Sequence, residues 1–190
     1  MINEELARAI AEGLINTGIE GAFNSVEETT NESESYPSIS VSQWEGSRAD
    51  YLLSTIDGGE KFIGMTYPEL VSTGMLDELK DLLDSEQGHE AALILLSRDC
   101  LDYVEAVKDA GLTDNKCIIY CGMWCPTSTY IVCRAIGRAE NDGVDINNIE
   151  ELSDYFYNNY ARLAGCEDYE EGYKNRSDIE REYVLSLEGV

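Results

Sequence analysis

One acidic side chain, Glu20, stands apart in a very acidic chain. Ile19 precedes it and Gly21, Ala22 and Phe23 follow, whereas Glu4-Glu5 and Glu27-Glu28 sit in charged company. Apolar surroundings disfavour the charged form of a carboxyl and raise its pKa, which is what a proton donor to a poor leaving oxygen needs near neutral pH. Downstream, Ser38-Ile39-Ser40-Val41-Ser42-Gln43-Trp44 sets an amide and an indole on an alternating stretch, suited to a short strand or the wall of a cleft. One partly buried carboxyl opposite a small strand that carries an amide and an indole suits an enzyme that protonates a glycosidic oxygen. The same Glu20 also reads as a solvated helix end.

The elements that must position these groups are mostly helices. Residues 3–17 read as an amphipathic helix, with Ile2, Leu6, Ile10 and Leu14 recurring every four positions and Asn3 as a cap. Residues 27–36 are polar and turn-prone, and residues 48–56 look helical before Asp57-Gly58-Gly59 breaks them. Helices are expected over 67–83, as one or a pair, and over 90–110, with a kink near Ser97-Arg98-Asp99 and Gly111 as the stop. Asp114 caps a segment running to Arg138 whose start, Cys117-Ile118-Ile119-Tyr120-Cys121, is apolar on most faces and predicts a buried central helix. Pro126 should kink or restart it. Asn147-Asn148-Ile149-Glu150 resembles a capping box ahead of a helix lined by Leu152, Phe156 and Tyr160, and a last helix falls near 177–187. Six to eight helices with very little strand make a mainly α (α+β) fold, read as a single domain over 1–190.

Bulk composition bounds the function. Apolar residues form 43% of the 190, a globular composition. A net charge of -25, from 38 acidic against 13 basic side chains, argues against nucleic acid or an anionic membrane as partner. No apolar run reaches the roughly 20 residues of a membrane span, and Met1 to Ile15 lacks the pattern of a signal peptide. The six cysteines include Cys117, Cys121 and Cys125 stacked on one helix face, but no Cys-x-x-Cys pair occurs and the lone His89 is distant in sequence. They read as reduced core thiols, with a disulfide or a metal site as alternatives, and neither a metal nor a cofactor is expected.

The run Glu20-Gly21-Ala22-Phe23-Asn24-Ser25-Val26, then Ser38 to Trp44, then Gly46-Ser47-Arg48-Ala49 with Leu52-Leu53, resembles a lysozyme-like domain of phage lysis and tail-associated proteins. That family's pattern has the form E-G-G-x-Y-x-S-V, a polar loop, then S-I-G-x-x-Q-W-h-G-x-R-A-x-x-L-L. The resemblance implies a lysozyme-like fold and cleavage of the β-1,4 bonds of peptidoglycan glycan strands, with Glu20 as general acid. It implies that Gln43 lines the sugar cleft, that Trp44 stacks on a sugar or packs under the strand, and that Ser38 braces the loop or assists a water. Tyr120 would reach the cleft floor or serve as a core tyrosine. Ser40 stands where the pattern has glycine, and the loop is about three residues longer than the pattern's, so Glu32 and Glu34 are the nearest matches to its aspartate. The mechanism stays open between an inverting hydrolase, a retaining one and a lytic transglycosylase. The implied setting is the cytoplasm of an infected or lysogenic bacterium with release by lysis, or a virion. The alternative is a non-catalytic virion or tail component that keeps the fold and binds a phage structural partner.

Overall fold

The computed structural model describes residues 1–19, 21–29 and 36–189. It is mainly helical with one small antiparallel sheet: α1 (Asn3–Asn16), β1 (Val26–Glu28), β2 (Pro37–Ile39), α2 (Gly46–Ser54), α3 (Tyr67–Thr73), α4 (Leu76–Leu83), α5 (Glu86–Asp109), α6 (Asn115–Asn141), α7 (Ile149–Ala164) and α8 (Glu170–Ser186). Two 3-10 turns, Gly59–Phe62 and Glu167–Tyr169, complete the described elements. The chain divides into two compact units, Met1–Ile19 with Ser97–Val190, and Glu20–Leu96.

The first unit is organised on α6. The Asp114 carboxylate accepts the Cys117 N–H at 3.0 Å, satisfying an orphan donor of the first turn. Every residue from Cys117 to Cys125 is buried, as expected of a central helix. Pro126 lacks an N–H and its ring crowds the preceding turn, and the helix breaks at Ser128, which is extended (φ 179°, ψ 110°). Thr127 Oγ1 donates to the Trp124 carbonyl at 2.8 Å near that break. Against α6 lies α1, whose Leu6, Ile10 and Leu14 are fully buried; each such side chain contributes about 1.5–3 kcal/mol. A Cβ on Gly122 would strike Ile10 Cδ1, and one on Gly13 would stand 2.7 Å from Met123 Sδ. These glycines set how closely the two helices approach. The predicted cap of α1 is different: Asn3 Oδ1 accepts Lys108 Nζ at 3.0 Å, and Glu5 Oε2 takes the Ile2 N–H at 3.1 Å.

A polar thread runs through this core. The Tyr120 hydroxyl lies 2.8 Å from Ser177 Oγ, and Ser177 Oγ donates to the Ser153 carbonyl at 3.4 Å, so Tyr120 is the donor in the first bond. The thread ties α6, α8 and α7. Around it pack Trp124, Phe156 and Tyr160, with ring centroids 5.5 Å (Trp124–Phe156) and 4.3 Å (Trp124–Tyr160) apart. Asn148 caps α7 by accepting from Glu150 N and Glu151 N. Helix α8 begins at Glu170, earlier than its apolar pattern shows. Ion pairs four residues apart, Lys174 with Glu170 and Arg176 with Glu180, hold a helix whose first turns carry little apolar periodicity.

In the second unit, β1 and β2 pair with Val26 opposite Ile39, Glu27 opposite Ser38 and Glu28 opposite Pro37. Val26 and Ile39 face inward and Glu27 and Glu28 outward, so part of the polar 27–36 stretch is strand. The stretch read as one strand over 38–44 instead ends at Ile39, turns through 40–43, and returns as a single bridge between Ile39 and Trp44. Left-handed backbone at Ser40 (φ 62°) and Gln43 (φ 50°) makes the reversal. The expected helix over 67–83 is the pair α3 and α4, parted at Gly74. Helix α5 runs unbroken through 97–99.

Candidate functional site

In the sequence, Glu20 follows the end of α1. Thr17 closes the helix, Gly18 takes a left-handed backbone (φ 66°), and Ile19 leads into Glu20, which lies outside the described residues, as do Glu32 and Glu34.

Within the second unit, the segment just after Glu20 is fastened to the 40–43 turn. The Gly21 N–H donates to the Val41 carbonyl at 2.9 Å, and the Ser40 N–H to the Ser25 carbonyl at 2.8 Å. A Cβ on Gly21 would sit 3.2 Å from the Val41 oxygen, so glycine lets the two backbones meet. Gln43 Nε2 donates to Ser25 Oγ at 2.9 Å and to the Ser40 carbonyl at 3.0 Å. The Gln43 Nε2 group is thus spent on holding the turn. Ser40 Oγ is buried and has no hydrogen-bond partner among the described residues. Its positive φ is the physical reason a glycine suits this place.

Trp44 is only 6% exposed, and its backbone exchanges two 2.9 Å hydrogen bonds with Ile39, so its indole belongs to the packed interior. Ser38, also buried, donates its hydroxyl to Glu45 Oε1. Phe23 stacks on His89 at 3.8 Å between ring centroids, and His89 Nε2 lies 3.2 Å from Asp84 Oδ1. Tyr120 belongs to the first unit, fully buried, and burial pushes its phenol well above the usual range. The structure therefore brings Ser38, Gln43 and Trp44 together and leaves Tyr120 in the other unit's core.

No family model, curated protein or solved structure matches this chain.

Two carboxylates that the sequence did not single out line a hollow of about 520 Å³ in the second unit. They are Glu45 and Asp50, with Tyr36, Gly46 and Ser47 completing its wall. Asp50 Oδ1 accepts the Gly64 N–H at 3.1 Å, whereas Glu45 is braced by Ser38 through one oxygen only. Its position directly after Gln43-Trp44 was the available signal, overlooked because acids are so common in this chain.

The cysteines offer no comparable chemistry. None of the six is joined in a disulfide, and Cys100, Cys117, Cys121 and Cys125 are buried. Desolvation pushes Cys117 and Cys121 well above the ordinary thiol range and Cys125 up to about 12, so these thiols stay protonated at neutral pH. Among the described residues no group of three His, Cys, Asp or Glu side chains is arranged to hold a metal ion, and no helix is long and apolar enough to cross a membrane.

Proposed function

We propose that this chain cleaves the β-1,4 bonds of peptidoglycan glycan strands, with Glu20 donating the proton to the glycosidic oxygen. The observation that carries the reading is the fastening of Gly21 to the 40–43 turn, which gives the residue next to Glu20 a fixed mount beside a small sheet. A general acid needs such a mount, because misplacement by an ångström costs a large factor in rate. In this reading Gln43, Ser38 and Trp44 build the wall that carries the site. The second carboxylate is Glu45 or one of the loop acids Glu32 and Glu34. A carboxylate about 6.5–9.5 Å from the donor would activate water and invert the product, and one about 5–5.5 Å away would retain it. With no second carboxylate acting, attack by the sugar's own 6-hydroxyl gives a lytic transglycosylase. The enzyme would act in phage lysis or entry.

The test is clearing of purified cell walls across pH 4 to 8 by the parent, Glu20→Gln and Glu45→Gln. Clearing by the parent and none by Glu20→Gln is expected, and mass spectrometry for 1,6-anhydro ends separates transglycosylase from hydrolase. No clearing by the parent on any wall type would refute the reading. One observation favours a second reading, a non-catalytic virion or tail component. Gln43 and Trp44, the groups expected to meet substrate, are turned into the scaffold.

A further inference from the structure

A second concavity lies within the first unit. A hollow of about 440 Å³ opens between the chain at Thr17 to Ile19 and one face of α8. That face presents Gly172, Tyr173, Arg176 and Ile179, and Tyr169, the last residue of the preceding 3-10 turn, extends the lining. The volume is within the range of small-ligand pockets.

Its chemistry is specific. Tyr169 is 70% exposed, an aromatic ring left in water beside a hollow on a chain of net charge -25. Tyr173 is anchored from behind by Tyr160 and Trp124, with centroids at 5.2 and 6.0 Å, so it forms a rigid wall. Arg176 is held on three sides. Its Nε donates to Glu180 at 2.8 Å, one Nη donates to the Met123 carbonyl, and its guanidinium lies 5.2 Å over the Trp124 ring. The fully buried Glu180 balances its charge, so the hollow gains fixed N–H donors without a net positive field. Asn175 adds a neutral amide at the wall.

Each ligand class meets this set differently. An anion would find the guanidinium already neutralised and the surrounding field repulsive. An alkyl chain would strand the Arg176 and Asn175 donors without partners, at a cost of about 1–3 kcal/mol each. A neutral sugar ring satisfies both demands, because its C–H face lies on tyrosine while its hydroxyls take the arginine and amide hydrogens. We infer that the α8 hollow is a binding site for neutral pyranose saccharides, an inference that holds whether or not the chain cleaves glycans. Such a site would hold an acidic protein on a carbohydrate surface that charge alone does not favour.

The test is titration of the full chain with N,N′,N″-triacetylchitotriose and with cellotriose, followed by intrinsic tryptophan fluorescence and by calorimetry. Saturable binding of at least one trisaccharide is expected. Tyr169→Ala should weaken it about two- to tenfold, the worth of one aromatic stacking face. Gly172→Leu should abolish it. A Cβ at that position meets no heavy atom within 4 Å, so the added side chain fills the hollow without disturbing the core. The inference is overturned if neither sugar binds or if Tyr169→Ala keeps full affinity. Tyr169 is exposed, so its variant decides the matter even should Gly172→Leu fold poorly. Wall clearing by the parent reports on the proposed cleavage alone, so the two readings fail separately.

Discussion

Replacing Ser40 with glycine should make this protein more stable, against the usual run of substitutions at buried positions. Ser40 carries φ of 62°, and the left-handed region costs a residue with a Cβ about 1–2 kcal/mol. Its hydroxyl is buried without a hydrogen-bond partner among the described residues, a penalty of about 1–3 kcal/mol. Two smaller effects oppose the gain. Glycine loses more backbone freedom on folding, about 0.5–1 kcal/mol. Removing Cβ and Oγ sacrifices packing of about 0.8 kcal/mol, the worth of one methylene. The balance favours Ser40→Gly by roughly 1–2 kcal/mol, which raises the melting temperature by about 2–8 °C for a chain of this size. Ser40→Ala removes the hydroxyl and keeps the strain, so it should be more stable than the parent, and its difference from the glycine variant isolates the backbone contribution. Urea unfolding followed by circular dichroism, with unchanged m-values, reads the difference. A Ser40→Gly variant no more stable than the parent would refute the reasoning and show that the hydroxyl finds a partner in solution.

Three further outcomes are expected. Gln43→Ala should destabilise by roughly 1–2 kcal/mol in the same urea assay through loss of its bonds to Ser25 and Ser40; unchanged stability would free that amide for substrate. Within α6, Gly137→Ala should stabilise by about 0.8–1.0 kcal/mol because its Cβ meets nothing within 4 Å, whereas Gly122→Ala should destabilise by about 1–2 kcal/mol through collision with Ile10, with part of that cost relieved by Ile10→Val. Thermal melts showing both alanines stabilising would contradict the described α1–α6 approach. Stability should also fall on the alkaline side. Burial raises the Cys125 thiol from 9.0 and the Tyr160 phenol from 10.0, each to about 12, so their contributions are fully present below pH 9 and are lost as pH rises from 9 to 12. A urea midpoint constant from pH 8 to 11.5 would exclude this.

The helical frame was legible where local chemistry and long-range packing agree. Asp114 and Asn148 cap the helices that their side chains announce, the apolar run from Cys117 is buried, and the break that Pro126 imposes falls two residues on, at Ser128. The candidate site was less legible because its parts are set by backbone geometry. Nothing in Ser38 to Trp44 announces left-handed residues at 40 and 43, so a turn read as a strand and a scaffold amide read as a substrate contact. Strand β1 escaped notice because Glu27 and Glu28 are outward-facing strand residues whose polarity resembles a loop. The start of α8 escaped because ion pairs, invisible to an apolar pattern, hold its first turns. Composition carries no mark of the division at Leu96 and Ser97, which falls inside α5, without glycine or proline beside it.

The Tyr120–Ser177–Ser153 thread has a consequence for the covalent chain. It links three helices by groups that water does not reach, while Gly165 to Asp168, which joins two of them, lies at the periphery. A protease that clipped that connection would release nothing. The two fragments would stay clasped and elute together under native conditions, and the C-terminal piece, supplied as a separate polypeptide, should dock back onto its complement.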